Sequence, residues 1–186
     1  MNFLLVGFFG EGNLGDEAIL SGITKFIFPP NLLYVTSGTL KKTSDSLLIK
    51  RRGVFSWPEY LKTLKAVDRV FFSGGILQDW SLDGVTFFAL RLIAARFFKK
   101  KPALWGAGIG PLRFGFTLGI AKRSLESVGV AWLRDVSSAR LFTALTRKNA
   151  NLGTDWSWAL EPSINNMSSP RSYIGLNLRP WVEDCW

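Results

Sequence analysis

Residues Gly7 to Leu20, reading GFFGEGNLGDEAIL, carry an apolar strand straight into a glycine-rich loop that opens an amphipathic helix. Such a junction gathers backbone N–H groups and the positive end of a helix dipole at the strand's carboxyl end, which suits an anion. Glycines there let the backbone come close to a ligand. The spacing Gly10-x-Gly12-x-x-Gly15 also fits the dinucleotide fingerprint. That fingerprint wants an acidic residue for the ribose at the end of the second strand. The second strand, expected at 32–36, ends instead in Ser37-Gly38. Glu11, Asp16 and Glu17 would also repel a pyrophosphate. The balance favours an anion other than a dinucleotide, with a ligand-free turn as the plain alternative.

Further along, short apolar strands alternate with helical patterns. Strands are expected near 2–8, 32–36, 69–73, 102–106, 130–134 and 172–178, and helices near 15–27, 57–67, 84–98, 115–128 and 136–147. This alternation predicts an α/β fold, a Rossmann-like parallel sheet with helices on both faces. Nearly continuous apolar runs such as Val70-Phe71-Phe72 fit strands buried on both sides. In such a sheet ligands bind outside the carboxyl ends of the strands. The Gly10 loop, Ser73-Gly74-Gly75 with Gln78-Asp79, Gly106 to Pro111, and Arg134-Asp135 with Ser137 are all expected there. Arg134 suits a carboxylate or phosphate, because its planar fork donates two parallel hydrogen bonds. Its plain alternative is an ion pair with Asp135 or Asp155. Gln78 and Asp79 are candidates for sugar hydroxyls, and Ser137 reads as a helix N-cap.

Bulk properties narrow the function classes. The chain has no histidine and a single cysteine, Cys185, which removes the commonest zinc ligand and general base and any intrachain disulfide framework. No metal and no tightly held cofactor are expected, and the location expected is cytoplasmic. The first strand has no basic lead-in and no small-residue cleavage site behind it, so it reads as a core strand. The apolar run Val85 to Phe98 is broken by Arg91 and Arg96 and is shorter than a membrane span needs. A formal charge of +9 points to an acidic partner. The basic clusters Lys41-Lys42, Lys50-Arg51-Arg52 and Lys99-Lys100-Lys101 read mostly as solvated ends and loops. Eight tryptophans and fifteen phenylalanines beside this charge also suit a peripheral contact with the inner face of an anionic membrane.

Residues 1–160 are expected to form one Rossmann-like domain, 161–171 a polar linker, and 172–186 the first strand of a truncated second domain. At this point the Gly7 to Leu20 block resembles the opening signature of the polysaccharide pyruvyl transferase family, in particular its cell-surface-anchoring bacterial branch. The later blocks agree in order: Ser73-Gly74-Gly75 with Gln78-Asp79, Lys101-Pro102 through Gly106 to Pro111, Arg134-Asp135 with Ser137, Thr154-Asp155, and Ile174 to Arg179. Ile76 stands where the family usually has a third glycine and Ala107 where it usually has glutamine.

The resemblance implies the N-terminal half of a GT-B-like architecture, two facing Rossmann-like domains with the active site between them. It implies transfer of the pyruvyl group of phosphoenolpyruvate, a co-substrate, to two hydroxyls of a sugar in a cell-wall or surface polysaccharide. Arg134 and Asp16 are then the candidate catalytic residues. Gly10, Gly12, Asn13, Gly74, Gly75, Gln78, Gly108, Arg134 and Ser137 are the candidate substrate-binding ones. The implied partners are phosphoenolpyruvate, a lipid-linked sugar acceptor and a separately encoded C-terminal half, with no nucleic acid. The histidine and lysine of the family's second half have no counterpart in this chain, so this chain alone is expected to be incomplete as a catalyst. Two other readings stay open on the residues: half of a sugar-nucleotide glycosyltransferase, and a non-catalytic module for anionic surfaces.

Overall fold

The computed structural model describes residues 1–27, 30–40, 46–51 and 56–161. The expectations for 162–186, which include most of the linker and the last strand, lie outside them. Among the described residues seven parallel strands form one sheet: β1 (Asn2–Phe9), β2 (Leu32–Ser37), β3 (Leu47–Lys50), β4 (Arg69–Ile76), β5 (Ala103–Ile109), β6 (Val130–Leu133) and β7 (Asn151–Leu152). Their spatial order is β3-β2-β1-β4-β5-β6-β7. Between and after them run α1 (Leu14–Thr24), α2 (Ser56–Ala66), α3 (Leu82–Phe97), α4 (Gly115–Leu125), α5 (Val136–Thr146) and a short 3₁₀ helix at Trp156–Ala159.

The predicted Rossmann-like α/β fold is observed, with its helices divided unequally. On one face α1 and the 3₁₀ helix cover Leu5, Phe9, Leu33 and Val35. On the other, α2 to α5 bury Leu4, Val6, Val70, Phe72 and Leu104. Alternate residues of β1 thus feed opposite cores, as a period of two requires. Across the α1 face runs an aromatic row in which Phe71 lies 4.6 Å from Trp105 and Trp105 lies 4.3 Å from Trp156, between ring centroids. Gly22 admits this packing, since a Cβ there would fall 2.0 Å from the Trp156 carbonyl oxygen.

Two strands, β3 and β7, are absent from the expectation. β7 has only two residues, both exposed, and β3 is a four-residue edge strand with Leu47 and Lys50 exposed, so neither shows a sustained apolar pattern. Strands β4 and β5 also run further than the apolar runs predict. Gly74-Gly75 and Ala107-Gly108 are expected in loops, yet they lie inside β4 and β5. Both strands carry a register shift there, between Phe72 and Gly74 and between Trp105 and Ala107. Gly74 (φ 80°) and Gly106 (φ 65°) supply the left-handed backbone for it. Glycine usually weakens a strand, and here it marks an irregularity beside a site.

Candidate functional site

The strand order reverses between β1 and β4, so the crevice of a doubly wound sheet opens at their carboxyl ends. A cleft of about 800 Å³ lies there, and Asn13, Asp16, Gly75, Gln78, Arg134 and Asp155 are among its lining. It extends past Phe8, Trp57 and Phe87, between α2 and α3.

Its first wall is the β1–α1 junction. Gly10 (φ 72°) and Gly12 (φ 77°) turn the chain through left-handed conformations. Asn13 then caps α1, its side-chain oxygen accepting from the Gly15 N–H at 3.2 Å. The Asn13 amide also donates to Asp16 Oδ2 at 2.6 Å. Gly10 N–H donates to Glu17 Oε1 at 2.6 Å, so that carboxylate ties the loop to its own helix. Gly10 and Gly12 do not line the cleft: they shape the turn that delivers Asn13 and Asp16.

Asp16 is 7% exposed, and its Oδ1 lies where a side chain on β4 would otherwise be. A Cβ on Gly74 would fall 2.7 Å from that oxygen. Burial pushes the Asp16 carboxyl from an ordinary 3.8 up to about 6, with Arg134 opposing and Glu17 reinforcing the rise.

Arg134 stands at the end of β6, where its N–H donates to the Ala107 carbonyl at 3.0 Å. Its side chain lies across Gly108, whose Cβ would come 2.6 Å from Arg134 Nε. Gly75 and Gly108 are register partners on adjacent strands. Gly74 pairs with Ala107, so Asp16 over Gly74 and Arg134 over Gly108 sit over adjacent strands one residue out of register, both lining the cleft where side chains are absent. Nη1 of Arg134 donates to Asp155 Oδ2 at 2.9 Å, and Asp135 Oδ2 lies 3.9 Å from its Nε. The Arg134 side chain is about a third exposed and lines the cleft, so a ligand can reach it.

The remaining expected residues divide. Gln78 lines the cleft, packed over Gly75, where a Cβ would come 2.7 Å from its Nε2. Asp79 serves the fold: Oδ2 accepts from the Arg113 and Phe114 N–H groups and the Thr117 hydroxyl, fastening the start of α4. Burial raises the Asp79 carboxyl, but these three hydrogen bonds outweigh it and hold the group below its ordinary range. The N-cap of α5 is Asp135, not Ser137. Asp135 accepts from the Ser138 N–H at 2.7 Å, while the Ser137 hydroxyl donates to Asp135 and lies outside the cleft lining. A side chain of two oxygens reaches Ser138 N–H and both serine hydroxyls at once, which a serine cap cannot do.

Arg51 is the residue that sequence reasoning missed. Read as part of a solvated basic cluster, it is 2% exposed and lines the cleft. Its Nη2 lies 2.6 Å and its Nε 3.1 Å from Glu11 Oε1, and its guanidinium stacks 4.0 Å from the Phe8 ring centroid. Glu11, which on paper should repel an anion, is thus neutralised inside the loop. The available signal was that lone carboxylate in an anion-binding loop, which requires a cation beside it. Arg91, from an apolar run, is likewise 3% exposed; it donates to the Arg51 carbonyl at 2.9 Å and stacks 3.9 Å from the Phe87 ring centroid. Burial pulls the Arg91 guanidinium down to about 10, so it remains charged at neutral pH.

Among the described residues no helix is long and apolar enough to cross a membrane. No curated protein sequence shows significant similarity to the chain. A family model described as polysaccharide pyruvyl transferase matches residues 13–185. The match takes in Asn13, Asp16, both glycine-bearing strand ends and Arg134, and by its extent this chain belongs to the polysaccharide pyruvyl transferase family.

Proposed function

We propose that the cleft binds phosphoenolpyruvate and that the chain takes part in transferring its pyruvyl group to two hydroxyls of a sugar in a cell-wall or surface polysaccharide. The observation that carries this reading is that Arg134 and a buried Asp16, each seated over a glycine, line the same cleft at the switch point.

The donor is strongly anionic, and Arg134 offers it a planar fork once Asp155 yields one of its hydrogen bonds. Transfer begins with protonation of the donor's methylene carbon, which leaves C2 electron-deficient. One sugar hydroxyl adds to C2, the C2–O bond to phosphate breaks, and the second hydroxyl closes the ketal. Of the two hydroxyl protons, one replaces the proton delivered to the methyl group and the other leaves with phosphate. Asp16, with a pKa of about 6, holds a proton in an appreciable fraction of molecules near neutral pH. That makes it the described carboxyl best suited to this exchange in a chain without histidine. Gln78 and Asn13 offer neutral hydrogen bonds at the same wall. In this reading a second Rossmann-like unit, as in a GT-B-like enzyme, closes the cleft and supplies further groups. The acceptor is then a lipid-linked sugar on the cytoplasmic side.

Thermal unfolding with added ligands tests the proposal. Phosphoenolpyruvate at about 100 times its Kd is expected to stabilise the protein by about 2.7 kcal/mol. Phosphate should be released when a saccharide acceptor and the complementing half are present. Stabilisation by nucleotide sugars but not by phosphoenolpyruvate would assign the cleft to a glycosyltransferase instead.

A further inference from the structure

Helix α3 is apolar on two opposite sides. Val85, Phe88, Ala89, Leu92 and Ala95 are buried against the sheet. The other side carries Leu82, Leu90, Ile93 and Phe97, which are 59%, 51%, 40% and 83% exposed. Steps of three and four residues align Leu90, Ile93 and Phe97 in one stripe. Helix α4 packs beside α3 and adds Phe116, 71% exposed, next to Phe114 at 60%. A helix that is apolar all round is normally covered. Among the described residues nothing covers this one.

Beyond the first turn of α3, which carries the exposed Asp83, the charge on α3, α4 and the segment between them has one sign. Between Gly84 and Leu125 the chain has eight Lys and Arg and no Asp or Glu. Five of them, Arg96, Lys99, Lys101, Lys122 and Arg123, are exposed. They collect at the C-terminal ends of α3 and α4, which both run toward the amino edge of the parallel sheet. Lys100 is occupied, its Nζ donating to the Val67 carbonyl at 2.6 Å. Two carboxylates stand at its ends, Asp83 in the first turn of α3 and Glu126 at the C-cap of α4.

We propose that the outward face of α3 and α4 docks on an anionic lipid bilayer, with Leu90, Ile93 and Phe97 entering the headgroup layer and the flanking cations pairing with lipid phosphates. Exposed apolar side chains interleaved with Lys and Arg suit that boundary. A nucleic acid would use the cations but leave the aliphatic stripe in water, and the core of a protein interface is depleted in lysine. Leu90 also lines the cleft, so the docked face and the cleft share an edge. The inference does not depend on which group the cleft transfers.

Flotation of the full chain with vesicles of neutral phosphatidylcholine, and with vesicles containing phosphatidylglycerol, tests it. Binding is expected only to the anionic vesicles and is expected to weaken as salt rises. Lys99→Glu/Lys101→Glu and Ile93→Ser/Phe97→Ser should each lower binding by about tenfold, with unchanged circular dichroism and melting temperature. Lys25→Glu/Arg140→Glu, an equal charge change on exposed residues of other elements, should retain most of it. Absence of binding, equal binding to neutral vesicles, or equal loss in both charge-reversed pairs would overturn the proposal. So would conversion of a dimer to a monomer by Ile93→Ser/Phe97→Ser, which would give the face to a second copy of the chain.

Discussion

Asp16 and Arg134 are polar residues whose positions are set by what their neighbours lack. A methyl group at Gly108 would meet the guanidinium and one at Gly74 the carboxylate, so the two charges are seated by vacancies in β5 and β4. Asp16 carries a measurable consequence. The rise of its carboxyl from 3.8 to about 6 means that ionising it in the folded protein costs about 3 kcal/mol. The group is destabilising when charged, so wild-type stability contributed at this site is greatest below pH 4 and falls as pH rises toward 6. Asp16→Asn should therefore stabilise the protein at pH 7, by at most about 3 kcal/mol, with the gain fading between pH 6 and 4 in urea titrations. A gain that does not vary with pH would show that the carboxyl is not strained by burial. Arg134→Ala should leave the unfolding free energy of the free protein within about 0.5 kcal/mol of wild type, as for a partly exposed side chain. It should abolish the stabilisation by phosphoenolpyruvate. Arg134→Lys, keeping charge without the fork, should restore only part of that response.

At the scale of elements, caps and close approaches hold the edge of the sheet in shape. Asp79 reaches from the β4–α3 connection to the first turn of α4 and accepts three hydrogen bonds there. Asp79→Ala should cost about 1–3 kcal/mol, because it strips the acceptor from the buried Thr117 hydroxyl and from two part-buried backbone N–H groups. Since the folded-state carboxyl lies below its ordinary value of 3.8, its contribution is full above that pH and is lost as pH falls further. A wild-type and variant difference that persists unchanged at pH 2 would contradict the cap. On the other face Gly22→Ala would drive a methyl group into the Trp156 carbonyl, 2.0 Å away, which is backbone and cannot swing aside. The expected loss is about 1–3 kcal/mol. A fall in the near-ultraviolet tryptophan signal should accompany it, because the row Phe71, Trp105, Trp156 depends on that docking.

For the whole molecule the net charge of +9 would favour the proposed phosphoenolpyruvate donor, which is of opposite sign. A field of this sign speeds the encounter with an anion and is screened over a Debye length of about 8 Å at physiological salt. Donor affinity of the complemented enzyme is therefore expected to weaken severalfold between low and physiological ionic strength, as read by thermal shift. An affinity independent of salt would restrict the electrostatics to the local Arg134 contact. The same field bears on the α3–α4 face, where the positive charge is spread over two helices.

Local pattern was enough to determine the alternation of strands and helices, the parallel sheet, and the clustering of Gly10, Gly74, Gly108 and Arg134 at its carboxyl edge. Apolar runs, turn glycines and helix periodicity are properties of short windows, and the edge rule follows once the sheet is parallel. Asp16 was likewise readable as a loop carboxylate, but not as a buried one. Its burial depends on β4 lying beside β1 with a glycine at the point of contact, a relation between residues far apart in sequence. Only the tertiary structure could place Gly74 and Gly108 inside strands, because tertiary pairing overrides glycine's weak strand preference. It alone could withdraw Arg51 from solvent to neutralise Glu11, since a guanidinium's partner is decided by how the sheet brings the end of β3 near the first loop and not by the lysine and arginine beside it in the chain.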